Sequence, residues 1–152
     1  MGSSSAPDVG EDTSSGAGAS GSGLDGRMKI LVLDDEEVVC SRLKPALEKG
    51  GYQVDTFTDS RLAKQRLERE RYDVIVTDLK MANVDGMDIF LSTKERWPDT
   101  EVIIITGFAT VDITRKALQA GARDVIAKPF KIRELKELID RIAAEGGRSG
   151  DR

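Results

Sequence analysis

Five short runs of aliphatic and β-branched residues alternate with five longer amphipathic stretches from Met28 onward, and this alternation restricts the fold more than any other feature of the chain. Strands are expected at Lys29 to Leu33, Gln53 to Phe57, Val74 to Thr77, Glu101 to Ile105 and Asp124 to Ala127. Three of them, carrying Ile30-Leu31-Val32-Leu33, Val74-Ile75-Val76 and Val102-Ile103-Ile104-Ile105, are apolar without interruption, the pattern of strands covered on both faces. Gln53 to Phe57 alternates instead and is expected at a sheet edge. Helices are expected at 37–49, 60–70, 86–96, 110–120 and 131–145. In the last, Ile132, Leu135, Ile139 and Ile142 fall on one stripe, and Gly146 and Gly147 are expected to end the helix. Pro45 removes a backbone hydrogen bond inside the first helix and is expected to kink it. Units in this order build a doubly wound α/β fold around a parallel sheet, which binds ligands at the carboxyl ends of its strands.

Composition narrows the chemistry available there. The 152 residues allow one ordinary compact core. Residues 1–27 are dominated by Gly and Ser and are expected to be a disordered tail; 28–147 form the folded domain, and 148–152 a disordered C-terminus. No apolar run approaches the roughly 20 residues that span a bilayer, and no basic segment precedes an apolar one at the N-terminus. A cytoplasmic location without a membrane partner is therefore expected. The chain has no histidine and one cysteine, Cys40. That excludes disulfide frameworks, multi-cysteine zinc sites, Ser-His-Asp and Cys-His catalysis, and a histidine phosphocarrier. Cys40 is expected to be a small buried hydrophobe. Of the net charge of -4, Asp8, Glu11, Asp12, Asp25 and Arg27 leave most in the tail, so the folded part is nearly balanced. Direct nucleic-acid binding through bulk charge is not expected. Arg61, Lys64, Arg66, Arg69 and Arg71 read as a solvated helix face, and Trp97 as the residue closing the third helix against its loop.

The polar residues at the strand ends carry the functional signal. Asp34-Asp35-Glu36-Glu37 follow the first strand, Asp78 the third, Thr106-Gly107 the fourth and Lys128-Pro129 the fifth. Neighbouring strands would bring these side chains into one cleft. Carboxylates held close together repel unless a cation or proton intervenes, and oxygen-only ligands suit Mg²⁺. Helix capping would account for Asp34 and Asp35 equally well, but not for Asp78, Thr106 and Lys128. Asp78 is a candidate nucleophile able to form an acyl phosphate, or else a loop aspartate bonding backbone amides. Thr106 offers a hydroxyl, Gly107 an approachable amide and Lys128 a fixed positive charge. Read blandly, these are a common strand-to-turn pair and a surface lysine.

Over residues 28 to 145 the sequence resembles the receiver domains of two-component response regulators. The resemblance lies in Leu33-Asp34-Asp35-Glu36-Glu37, Thr77-Asp78-Leu79-Lys80-Met81 with Asp85-Gly86, Ile105-Thr106-Gly107, and Gly121-Ala122 through Lys128-Pro129-Phe130. It implies a flavodoxin-like sheet in strand order 2-1-3-4-5 with five helices. It also implies that Asp78 is the phosphoacceptor and that Mg²⁺ is bound by Asp35 directly, by Asp34 through water, and by Asp78 and the Lys80 carbonyl. Thr106, Lys128 and the amides of Lys80 and Gly107 would hold the phosphoryl oxygens. The donor would be a phosphohistidine on a sensor histidine kinase or phosphotransfer protein. An output partner or domain would read the face made by the fourth helix, fifth strand and fifth helix, and homodimerisation on phosphorylation is among the implied behaviours. Such a domain is a signalling phosphoacceptor that promotes its own phosphorylation and dephosphorylation rather than an enzyme acting on outside substrates.

Two positions depart from that pattern: Ala82 stands where proline is usual, and Val125 where an aromatic ring usually reports the state of the site. Phe108 or Phe130 are candidates to replace that ring. A receiver-like binding module without phosphorylation is the alternative these departures keep open. A Mg²⁺-dependent phosphohydrolase ranks lower, because Lys80 rather than a second carboxylate stands two residues after Asp78. Flavin or dinucleotide binding ranks lowest, because the first strand leads into acids and not a glycine-rich cradle.

Overall fold

The structure is a computed structural model that describes residues 26–79 and 86–150, with side chains as far as residue 145. Residues 1–25 of the N-terminal tail and the Lys80 and Ala82 positions lie outside the described residues. The element order is β1 (Lys29–Leu33), α1 (Glu37–Lys49), β2 (Gln53–Phe57), α2 (Ser60–Arg69), β3 (Val74–Asp78), α3 (Gly86–Arg96), β4 (Glu101–Thr106), α4 (Val111–Gln119), β5 (Asp124–Ala127) and α5 (Ile132–Gly150). The strands form one sheet in the order β2-β1-β3-β4-β5 with every pairing parallel, so the alternating β2 does lie at an edge.

Side-chain alternation along the central strands creates two cores. Ile30, Val32, Val74, Val76, Ile103 and Ile105 face α1 and α5, meeting Leu43, Leu47, Leu135 and Ile139. Leu31, Leu33, Ile75, Val102 and Ile104 face the opposite way, towards Ala63, Leu67, Ile89, Phe90 and Ala117 of α2, α3 and α4. This is why those strands are uninterruptedly apolar: both faces are covered. Burying each Leu or Ile contributes about 1.5–3 kcal/mol, which anchors α1 and α5 firmly. By contrast, α4 fully buries only Ala117 and leaves Val111 and Leu118 exposed.

Two local expectations change. α5 does not stop at Gly146 and Gly147 but runs on to Gly150. A helical glycine costs only about 1 kcal/mol relative to alanine, too little to end a helix without a left-handed turn. The basic residues of α2 are not all solvated either. Arg66 Nη1 donates to Tyr72 Oη at 2.9 Å and to Asp55 Oδ2 at 3.3 Å, while the fully buried Tyr72 hydroxyl donates to the same Asp55 oxygen at 2.6 Å. Pro45 sits within α1, exposed, and the helix continues through it as a single element. Cys40 is buried against the α1 side of the sheet as expected. Trp97 donates its indole N–H to the Leu67 carbonyl at 2.7 Å, tying the end of α3 to α2.

Candidate functional site

Strand register brings the polar residues together. Leu33 pairs with Thr77 and Asp78 with Ile105, while Thr106 pairs with Ala127. Asp34, Asp78, Thr106 and Lys128 thus stand within a residue of one another at the carboxyl edge of β1, β3, β4 and β5. Asp78 and Thr106 are themselves the last residues of their strands, so the hydrogen-bonded ladder fixes their backbones.

Asp34 is fully buried, and Asp78 nearly so. Asp34 Oδ1 accepts the Glu36 amide at 2.9 Å, which is a turn within the β1–α1 loop rather than a cap on a helical amide. Lys128 Nζ reaches across the cleft to Asp34 Oδ2 at 2.8 Å, Glu36 Oε1 at 2.9 Å and Asp78 Oδ2 at 2.7 Å. The contact to Asp34 Oδ2 is an ion pair without hydrogen-bond alignment, and among the described residues this buried oxygen has no other partner. Burial raises the Asp34 carboxyl above the ordinary aspartate value, and the Lys128 ammonium and Glu36 amide only partly oppose it. Burial alone would push the Lys128 ammonium down; its close contacts with the Asp34, Asp78 and Glu36 carboxylates outweigh that and hold it above the ordinary lysine range.

Asp34, Asp35 and Asp78 each bring one carboxylate oxygen within 4.8 Å of the others. At that distance two such charges repel by about 3.5 kcal/mol at an effective dielectric near 20. One ammonium does not neutralise three carboxylates and Glu36. A hard divalent cation with all-oxygen ligands fits the donor set, and Asp34 Oδ2, held among the described residues by the Lys128 ion pair alone, has a lone pair to offer it or its water. Asp35, exposed at the rim, completes the trio.

Gly86 packs directly under Asp78. Its amide donates to the Leu79 carbonyl at 3.0 Å, and a Cβ there would overlap the Asp78 carbonyl oxygen and lie 2.8 Å from Leu79 Cα. Only glycine lets α3 begin this close to the end of β3. Thr106 is buried, and its Oγ1 accepts the Phe108 amide at 3.0 Å, linking the hydroxyl to the loop that leads into α4. A Cβ at Gly107 would meet no atom of the described residues within 4 Å, so their packing does not require glycine there. Val125 is half-buried and packs against the α2–α3–α4 core. Phe130 packs on the other side of the sheet, and Phe108 is 59% exposed.

Of the residues singled out in the sequence, Asp34, Asp35, Asp78 and Lys128 come together directly, and Thr106 and Gly107 stand at the adjoining strand end. Lys80 lies outside the described residues. Glu36 was visible only as one of four consecutive acids. Its bond to Lys128 spans 92 positions, and no local pattern announces it.

A family model described as the response regulator receiver domain matches residues 30–140. The transcriptional regulatory protein QseB of Haemophilus influenzae is 34% identical over 108 residues, covering 71% of this chain and 49% of that protein. The chain thus spans about half the length of that curated relative. The beryllofluoride-activated NtrC4 receiver domain dimer is similar at 37% identity and a TM-score of 0.72, over 77% of this chain and 97% of that one. A Burkholderia pseudomallei response regulator solved with a phosphorylated aspartic acid, a calcium ion and citrate is similar at 28% identity and a TM-score of 0.66, over 71% and 64%.

Proposed function

The chain belongs to the response regulator receiver-domain family of two-component signalling, and from that premise we propose that Asp78 accepts a phosphoryl group from the phosphohistidine of a sensor histidine kinase or phosphotransfer protein. The observation that carries this reading is the placement of Lys128 Nζ between the buried Asp34 and Asp78 carboxylates, with Asp34 Oδ2 held among the described residues by that ion pair alone. In the transfer, an Asp78 carboxylate oxygen bonds to phosphorus as the phosphorus–nitrogen bond of the partner's phosphohistidine breaks, and the released imidazole takes up a proton.

Asp34, Asp35, Asp78 and the Lys80 carbonyl would hold Mg²⁺. When bound, it supplies positive charge against the carboxylates and the incoming phosphoryl oxygens. Lys128 holds its charge at Asp78 throughout the pH range of a cell, since its ammonium is stabilised above the ordinary lysine range. The Thr106 hydroxyl and the amides of Gly107 and Lys80 take the remaining phosphoryl oxygens. Gly107 suits this role because it leaves open space where a side chain would stand.

Residues 28–147 would then act as a phosphorylation-controlled switch in the cytoplasm, promoting their own phosphorylation and dephosphorylation. Reorientation of Thr106 towards the phosphoryl group would release the Phe108 amide and shift the loop entering α4, the helix with the smallest buried anchor. An output domain or partner, or a second copy of the chain, would read the α4-β5-α5 face, with no direct nucleic-acid contact by this domain. With Val125 in place of an aromatic ring, Phe108 is the residue positioned to report the change. Beryllofluoride with Mg²⁺ tests the site: bound ¹⁹F resonances are expected for the wild type and none for Asp78→Ala. Equal spectra from the two proteins would reject Asp78 as the acceptor.

A further inference from the structure

An ammonium has three N–H donors, and that of Lys128 faces three carboxylates. Two of them, Asp34 and Asp78, belong to the trio whose oxygens converge for a cation; Glu36 does not. Lys128 and a divalent cation therefore draw on the same two carboxylates, while the Glu36 carboxylate, among the described residues, pairs with the ammonium alone. Its placement fits a dedicated role. Glu36 occupies the N-cap position of α1, where a side chain ordinarily accepts a helical amide, yet it makes no capping bond and extends to Lys128 instead. Its backbone is held at both ends, the amide by Asp34 Oδ1 at 2.9 Å and the carbonyl by the Val39 amide at 3.0 Å. The Glu36 side chain is 57% exposed, so it can follow the ammonium without burying a charge, whereas Asp34 is fully buried and cannot move with it.

We propose that Glu36 is a positioning residue that keeps Lys128 at the cleft while Asp34 and Asp78 pass from the ammonium to a divalent cation, and so strengthens cation binding. This rests on the Mg²⁺ reading above. Without Glu36, a cation that takes both aspartates leaves the ammonium with no carboxylate partner among the described residues; with it, one ion pair survives. An exposed ion pair of this kind corresponds to about a two- to fivefold change in affinity.

The test is a double-mutant cycle on the full chain: Mg²⁺ titrated calorimetrically, at fixed ionic strength, into the wild type, Glu36→Gln, Lys128→Met and the double variant. Glu36→Gln is expected to weaken Mg²⁺ binding about two- to fivefold when Lys128 is present, and not when Lys128 is Met. An equal loss in both backgrounds would reduce Glu36 to a distant charge, and no loss in either would remove its role; both outcomes overturn the proposal. If Lys128→Met does not fold, the ¹⁵N signal of the Lys128 ammonium at saturating Mg²⁺ decides. Slower proton exchange with water in the wild type than in Glu36→Gln supports the tether, and equal exchange rejects it. A wild type that binds no Mg²⁺, or an Asp78→Asn variant that binds it as tightly, would instead fail the cation reading itself.

Discussion

Replacing Gly86 with alanine turns a single added methyl into a test of how the site is held. Elsewhere, Gly→Ala at the start of a helix stabilises, by up to about 1 kcal/mol through helix propensity and a less flexible unfolded chain. Here the new Cβ would overlap the Asp78 carbonyl oxygen and come within 2.9 Å of the Asp78 carbonyl carbon and 2.8 Å of Leu79 Cα. All three atoms are backbone at the end of a central strand whose residues are all buried, so no flexible side chain can yield. Overpacking of a tight interior costs about 1–3 kcal/mol, occasionally more, and a forced shift of a paired strand lies at the upper end. The expected net loss is about 2–3 kcal/mol, or about 8–12 °C in melting temperature for a domain of this size. Urea unfolding followed by circular dichroism measures it. Gly107→Ala is the matched control: with no described residue within 4 Å of its Cβ, stability should stay within about 0.5 kcal/mol of wild type. Gly107→Ala should nonetheless slow phosphorylation, because its methyl would enter the space assigned to a phosphoryl oxygen. A Gly86→Ala protein as stable as wild type would refute the argument that this contact sets the position of Asp78.

Other outcomes follow from individual contacts. Asp59 caps α2 by accepting the Arg61 amide at 2.8 Å, and its bonds to Arg61 hold its carboxyl below the ordinary aspartate value. A depressed folded-state value stabilises above the unfolded-state value and is lost as pH falls through the folded one. Asp59→Asn should keep the cap but flatten the acid limb of a stability-versus-pH curve below about pH 4; an unchanged limb counts against the cap's charge. Thr110 Oγ1 accepts the Ile113 amide at 3.1 Å at the start of α4, so Thr110→Ala should cost about 1 kcal/mol in urea unfolding. Trp97→Phe removes the indole bond to Leu67 and should cost about 1 kcal/mol, with hydrogen exchange rising first at the α2–α3 junction. Phe108→Ala should change the ratio of partner affinities between phosphorylated and unphosphorylated protein, and an unchanged ratio would reject Phe108 as the reporter.

Much of this molecule is legible from its chain because its strongest signals are local. An uninterrupted run such as Val102 to Ile105 has only one economical use in a domain this small, a strand covered on both sides. Once several such strands are placed in parallel, Asp34, Asp78, Thr106 and Lys128 must emerge at one edge. What the chain could not show were relations set by side-chain reach across that edge. Arg66 reads as a solvated helix residue until β2 brings Asp55, and β3 its neighbour Tyr72, beneath it. Glu36 reads as one acid among four until Lys128 arrives from the far end of the domain. The extent of α5 escaped for a different reason: glycine weakens a helix by less than its neighbours' hydrogen bonds sustain it, so Gly146 and Gly147 are poor punctuation without a left-handed turn.

Whether Asp78 is the phosphoacceptor decides how the whole site is read. Incubation with acetyl phosphate and measurement of intact mass, for wild type and Asp78→Asn with Mg²⁺ or with a chelator, puts this to the test. One phosphoryl group should be added to the wild type only when Mg²⁺ is present, and none to Asp78→Asn in either condition. A wild type that stays unmodified with Mg²⁺ while folded, or a variant that gains the same mass, would contradict the account.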